Sequence, residues 1–257
     1  MNKANLVILI MNRKKIAEHA LFKRIADRKY GLHSLCITEQ TIKKAFDMNK
    51  FQAFMGDIAL KINLKSGGIN HAVENLTFEN ILVIGADVTH PGPASVKGTL
   101  SVTAMVGNVD RYGGRFLGSL SLQQESRQEM ILNFESLVPK RIEQFCLLNN
   151  KWPKSVIYYR DGVSESQYTA VREVEVSKIR PAAERVWKKH HTQAKCPRVE
   201  IAAIVATKRH HVRFYPIVND NQKKPIIANS RHQPAWGKQR NCPPGTLVKS
   251  ASHHPIT

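Results

Sequence analysis

The sequence predicts an α/β protein in which strands alternate with helices. Two runs of branched apolar residues, each typical of a buried strand, end in a carboxylate at Asp87 and at Asp161. Between these runs, residues 99–106 and 115–122 form a hairpin pattern. Helical periodicity before and after the second run completes the alternation of strands and helices.

Either aspartate alone has an ordinary explanation. A buried strand should not carry an unpaired charge, so Asp87 either caps the following turn or binds a positive group. Asp161 precedes Gly162, which by itself signals a turn. If the two strands are neighbours in one sheet, however, the carboxylates meet, and like charges at close range need a metal ion or a shared proton.

The overall charge points to a polyanionic partner. Lys and Arg number 39 against 20 Asp and Glu, a formal net charge of +19, which favours nucleic acid. An anionic membrane is the alternative, but no apolar run approaches the roughly 20 residues of a spanning helix, so we expect no membrane. The four cysteines have no Cys-x-x-Cys spacing and are interpreted as free thiols in a reducing compartment.

The first part of the chain contains a pair of lysines with two explanations. Strand patterns over 6–11 and 35–38 accompany helical patterns over 16–29 and 51–64. Lys61 and Lys65 lie four residues apart and share a face of the second helix. Lysines near a helix C-terminus are favoured by the helix dipole and usually contact only water. The more specific hypothesis is that these two lysines bind a phosphate.

The second part continues the alternation up to a strongly basic segment. A helix is predicted over 126–148, with Glu125 and Glu129 at its start, where the helix dipole favours acids. A strand over 155–161 follows, then a long helical pattern over 164–191 that Pro181 should kink or split, and a strand over 199–206. From Thr207 to Thr257 there are nine Lys or Arg, five His and one acid, which indicates either a solvated tail or a surface for nucleic acid.

This order of elements resembles the plan of a ribonuclease H-like domain, which implies a mixed sheet flanked by helices. Four motifs narrow the resemblance. Together they resemble the Piwi domain of eukaryotic Argonaute proteins, of a fungal-like kind, over residues 76–257. The motifs occur in the family's order: Gly85-Ala86-Asp87-Val88-Thr89-His90-Pro91, Arg127-Gln128-Glu129, Tyr159-Arg160-Asp161-Gly162-Val163-Ser164-Glu165 and Lys208-Arg209-His210-His211.

The resemblance implies a metal-dependent site. Asp87, Glu129 and Asp161 match three of the family's four catalytic positions, with Glu125 as a rival for the glutamate. Carboxylates of this kind hold two Mg²⁺ or Mn²⁺ ions, which suits RNA cleavage. Neither His253 nor His254 matches the fourth position, so we expect an incomplete site.

Residues 1–75 resemble half of the Rossmann-like middle domain of Argonaute proteins, which holds the 5′ phosphate of a guide RNA. Lys23, Lys61 and Lys65 match its pocket lysines, and His19 stands where the family usually has a stacking tyrosine. Leu35 replaces a pocket glutamine. In the Piwi part, the resemblance suggests that Lys208 and Arg209 contact the RNA backbone.

The resemblance therefore implies a guide-RNA-binding protein of the silencing pathway, located in the cytoplasm or alternatively the nucleus. Its partners would be a small guide RNA, the complementary target RNA and other silencing-complex proteins. Three functions remain open: an RNA-guided endoribonuclease, an RNA-binding protein that does not cut, and an incomplete product without function.

Overall fold

The computed structural model describes residues 4–124, 128–191 and 194–207. The chain alternates strands and helices in the order β1 Leu6–Met11, α1 Ile16–Lys23, β2 His33–Thr38, α2 Glu39–Asp47, α3 Phe51–Lys65, β3 Ile81–Thr89, β4 Ser101–Asn108, β5 Phe116–Gln123, α4 Phe134–Asn149, β6 Ser155–Asp161, α5 Tyr168–Ala170, α6 Ile179–His190 and β7 Glu200–Ala206.

The strands form two separate sheets. The smaller sheet is the parallel pair β1 and β2, in register from Leu6 opposite His33 to Met11 opposite Thr38. Parallel strands need a crossover connection, and α1 with its π-helical continuation Arg24–Lys29 supplies it. The division of the chain into domains 1–75 and 76–257 stays a prediction.

The larger sheet has the strand order β5-β4-β3-β6-β7. The β3, β4 and β5 strands are antiparallel neighbours, whereas β3, β6 and β7 run parallel. The sheet is therefore mixed, which confirms the predicted fold class. The hairpin closes where Val109 donates its N–H to the carbonyl of Arg115 over 2.9 Å, and Gly113 adopts a φ of +68° in this turn.

Helices cover one face of the larger sheet. Alternate residues of β3 are buried, from Leu82 to Val88, and they belong to one core with α4 and α6. Phe134 of α4 meets Tyr158 of β6 edge to ring, with centroids 5.5 Å apart. Because side chains alternate along a strand, Asp87 lies on the opposite face from this core.

The helix predicted over 126–148 begins later than expected. Helix α4 starts at Phe134, so the expectation that Glu129 starts this helix is wrong. Glu129 lies instead in residues 128–133, the described part of the chain directly before α4. The helix starts late because of tertiary contacts. Buried side chains hydrogen-bond to the backbone groups that would otherwise bond to each other within a longer helix.

The helical pattern over 164–191 is interrupted before Pro181. A π-helical turn, Val171–Glu175, and a 3₁₀ turn, Val176–Lys178, separate α5 from α6. Pro181 lies in the first turn of α6, where the missing N–H costs no hydrogen bond. The prediction of a split was correct, but the break precedes the proline.

Helix α2, Glu39–Asp47, was not predicted from the sequence. Thr38 accepts a hydrogen bond from the N–H of Thr41 over 3.2 Å and so caps the N-terminus of α2.

Among the described helices, none is long and apolar enough to cross a membrane. Within the described ranges Cys36, Cys146 and Cys196 are free thiols, as predicted, whereas Cys242 lies outside them.

A buried ion pair joins β6 to the π-helical turn. Arg160 Nε lies 3.1 Å from Glu175 Oε2, and both side chains are almost completely buried, at 1% and 0% exposure. The hydroxyl of Tyr158 donates to the same carboxylate over 2.6 Å. Burial raises the pKa of Tyr158 far above its ordinary value, so this hydroxyl keeps its proton and remains a donor.

We expect Arg160→Met to destabilise the fold by about 3–5 kcal/mol, because it leaves the Glu175 carboxylate buried without its cation. Adding Glu175→Gln should recover at least half of that loss, since the amide keeps neutral hydrogen bonds with its neighbours. Urea unfolding measures both changes.

The matched control is the solvent-exposed pair of Lys189 and Glu143, 2.9 Å apart. Lys189→Met should change stability by less than about 1 kcal/mol. Equal losses for Lys189→Met and Arg160→Met would contradict a special contribution of the buried pair.

Candidate functional site

The pairing of β3 with β6 places two carboxylates side by side. The register of the two strands runs from Ile81 opposite Ser155 to Ala86 opposite Arg160. The next residues, Asp87 and Asp161, are therefore neighbours on adjacent parallel strands. Asp87 Oδ1 accepts the N–H of Val88 over 2.8 Å. Asp161 Oδ1 accepts the N–H of Gly162 over 2.9 Å. Backbone donors therefore orient both carboxylates.

Gly162 provides the space for this pair. A Cβ at this position would lie 3.0 Å from Asp87 Oδ1, tighter than ordinary van der Waals contact. Its φ of +82° is also a conformation that glycine adopts far more readily than other residues. The glycine after the second aspartate is thus a steric requirement of the site as well as a turn former.

Glu129 has a different neighbour from the two aspartates. Its Oε1 lies 3.0 Å from Nε2 of His90, without the alignment of a hydrogen bond, so the contact is an ion pair only when the imidazole is protonated. The other ring nitrogen of His90 lies 2.8 Å from Ser101 Oγ. His90 is a site residue that sequence reasoning missed, although it stands only three positions after Asp87.

The described residues contain no group of three His, Cys, Asp or Glu close enough to hold a metal ion. The adjoining aspartates provide the hard oxygen donors that Mg²⁺ and Mn²⁺ prefer, and they fit a divalent cation in chemistry. Glu129 lies against His90 and is not grouped with the two aspartates among the described residues. The fit is therefore good for the aspartate pair and incomplete for the set of three acids.

The predicted phosphate-binding residues lie on two helices. Lys23 ends α1, and its Nζ donates to the carbonyl and the hydroxyl of Ser34 over 2.8 Å and 2.6 Å. Asp27 Oδ1 accepts the Ser34 hydroxyl, so Lys23 belongs to a local polar network between α1 and β2. His19 lies on α1 and is exposed.

Lys61 and Lys65 lie in the last turns of α3, where Lys61 is exposed and Lys65 is half-buried. The grouping of Lys23 with Lys61 and Lys65 in one pocket stays a prediction. A groove of about 470 Å³ on the helix 16–29 is lined by other residues, including Arg24 and Arg28.

Five residues of the sequence motifs lie outside the described residues, namely Arg127, Lys208, Arg209, His210 and His211. The rival Glu125 lies outside them as well.

Comparisons with known proteins give one family. The Piwi domain family model matches residues 6–257. Protein argonaute 18 of Oryza sativa subsp. japonica is 31% identical over 263 residues, covering 99% of this chain and 22% of the relative. Protein argonaute-2 of Drosophila melanogaster is 29% identical over 255 residues, covering 98% of this chain and 19% of the relative.

A solved structure, Kluyveromyces polysporus Argonaute with a guide RNA, superposes with a TM-score of 0.71 at 29% identity. The match covers 84% of this chain and 25% of the yeast chain. The chain thus spans about a fifth of the length of the curated relatives it matches.

We expect Gly162→Ala to destabilise the protein by more than about 1–2 kcal/mol, because it adds a Cβ against Asp87 to the cost of a positive φ. Gly98 is a matched control, since its φ is +87° and a Cβ added there would meet no atom within 4 Å. Gly98→Ala should show the φ cost alone in urea unfolding. Equal losses would mean that the contact with Asp87 adds nothing.

Proposed function

Since the chain belongs to the Piwi domain family and is of the eukaryotic Argonaute type, we propose that it binds a small guide RNA in RNA silencing. We further propose that it carries a divalent-metal site for cleaving guide-matched RNA. The observation that supports the metal site is the parallel register of β3 and β6, which makes Asp87 and Asp161 neighbours. A net charge of +19 supports the RNA partner.

In this proposal Asp87 and Asp161 hold Mg²⁺ or Mn²⁺, and Glu129 is the third carboxylate. When bound, such ions activate a water molecule and stabilise the leaving oxygen of a phosphodiester. The chain's own contribution is orientation, because the N–H groups of Val88 and Gly162 fix the two aspartates.

A second candidate function is RNA binding without cleavage. The lack of a three-acid cluster among the described residues favours it. The two candidates share the guide-binding surface and differ only in whether the acids assemble. Metal-dependent cutting of an RNA complementary to a bound guide separates them.

Guide binding is assigned to the first part of the chain, residues 1–75. Lys23, Lys61 and Lys65 would contact the 5′ phosphate as point charges, and His19 would stack on the first base. Lys208 and Arg209 would contact the RNA backbone in the Piwi part, residues 76–257. Target RNA and other silencing-complex proteins are the proposed partners, in the cytoplasm or alternatively the nucleus.

We predict that Mn²⁺ raises the melting temperature of the protein, because a cation relieves the repulsion between the two aspartates. Asp87→Asn and Asp161→Asn should each abolish this shift. Thermal unfolding with and without Mn²⁺ measures it. Asp57→Asn, on the exposed surface of α3, is the control and should leave the shift intact. An unchanged melting temperature of the wild-type protein in Mn²⁺ would refute the metal site.

We predict that Lys61→Ala combined with Lys65→Ala weakens binding of a 5′-phosphorylated RNA more than of the same RNA with a 5′ hydroxyl. The reason is that a terminal phosphate presents extra charge to a dedicated pair of cations. Titration of both RNAs by fluorescence anisotropy measures the difference.

The matched control is Lys43→Ala with Lys44→Ala, which removes the same charge from exposed positions of α2. This variant should weaken both RNAs equally through the general electrostatic effect. The same equal loss in the Lys61 and Lys65 variant would argue against a phosphate pocket.

A further inference from the structure

A groove on the first helical segment combines positive charge with exposed apolar surface. This basic groove has a volume of about 470 Å³, and it is lined by Leu21, Arg24, Ile25, Arg28 and Lys29. Leu21 and Ile25 are 52% and 39% exposed, which is unusual for large aliphatic side chains. The groove therefore offers three cations and two aliphatic side chains to a ligand.

The two arginines of the basic groove have no acidic partner. Arg24 and Arg28 form no ion pair with any residue in the described ranges. The neighbouring acid, Asp27, is engaged elsewhere, because it accepts the hydroxyl of Ser34 over 2.6 Å and lies 4.0 Å from Lys23 Nζ. The positive field of the arginines is thus left uncompensated by the chain itself.

The groove lies on the side of the segment that faces away from β2. Lys23 and Ala26 mark the covered side, since Lys23 donates to the carbonyl of Ser34 over 2.8 Å and Ala26 is 4% exposed. Arg24 and Arg28, by contrast, are exposed. A ligand in the groove and a phosphate at Lys23 would therefore approach different sides of the same helical segment.

The backbone beneath the groove is irregular. The segment Arg24–Lys29 is π-helical, and Tyr30 donates its N–H to the carbonyl of Ile25 over 3.1 Å. Single π-helical turns within α-helices are rare and are frequently found at functional sites. The irregular backbone and the exposed lining coincide, as expected of a binding surface.

The lining favours an acidic peptide over RNA. Guanidinium groups bind carboxylates and phosphates equally well in bidentate geometry, so charge alone does not choose between them. RNA bases are bound largely by stacking on aromatic rings. Of the described residues that line the groove, none is aromatic. Leu21 and Ile25 gain most from contact with another apolar side chain, which a peptide supplies.

We propose that the basic groove docks an acidic segment of a partner protein. An apolar side chain of that segment lies against Leu21 and Ile25, and its carboxylates bind Arg24 and Arg28. An apolar centre with a charged rim is the usual anatomy of a protein interface. The inference goes beyond the proposed function, because it depends neither on the metal site nor on guide binding.

The experiment titrates the full chain into a panel of labelled acidic peptides, in which Glu flanks Leu, Phe or Trp, and follows fluorescence anisotropy. At least one peptide should bind. Arg24→Glu combined with Arg28→Glu should weaken that binding by about 10-fold or more, because like charges then meet. Arg24→Gln combined with Arg28→Gln is the milder variant should the reversed pair not fold.

The matched control for charge is Lys43→Glu combined with Lys44→Glu, which reverses the same charge at exposed positions of α2. Because salt screens charges that do not touch the peptide, this control should change its affinity by less than about 3-fold.

Leu21→Ala combined with Ile25→Ala tests the apolar part of the groove. This variant should weaken peptide binding by about 5-fold or more, because it removes apolar contact area. Ile16→Ala is the control, since Ile16 is 80% exposed on the same helix but does not line the groove. It should leave the affinity unchanged. The Leu21 and Ile25 variant should also bind a 5′-phosphorylated RNA like the wild type.

Three results would overturn the docking surface. The first is that no peptide of the panel binds, and the second is that the Arg24 and Lys43 double variants lose affinity equally. The third is binding that needs Arg24 and Arg28 but not Leu21 and Ile25, which would indicate a plain anion site such as one for an RNA backbone. A chain that binds peptide but no guide RNA would refute the proposed function and leave this inference standing.

Discussion

The buried ion pair between Arg160 and Glu175 connects the sheet, the helical layer and the candidate site. Burying two charges is costly, and the cost is offset only when the remaining donors and acceptors are satisfied. Here the carboxylate also binds Tyr158 and the N–H of Ile131, and the guanidinium also binds the carbonyls of Glu129 and Asp161. The need to satisfy the donors and acceptors of the two buried charges therefore fixes the positions of these partner groups.

That requirement explains the departures from regular helix near the site. Glu175 ends a π-helical turn, the kind of local widening often found at functional positions. The loop before α4 stays out of the helix because its N–H and carbonyl groups are used by Glu175, Arg160 and Gln123. The irregular segments are thus fixed by buried hydrogen bonds and are part of how the site is built.

The two candidate sites depend on different levels of structure. The aspartates depend on strand pairing, which has a fixed register and brings neighbouring residues together. The lysines lie on two helices, so their grouping depends on how α1 and α3 pack. Lys23 also uses its donors on Ser34, so a phosphate would have to compete with that network.

The sequence by itself determined the strands, the hairpin, the mixed α/β class and the identity of the acid-tipped strands. These features follow from local periodicity and from turn residues such as Gly113, which act over a few positions. Only the tertiary structure decided that Glu129 leaves the helix and contacts His90, and that Gln123 and Glu175 hold its loop. These contacts join residues from five to 44 positions apart, a length scale that periodicity does not encode.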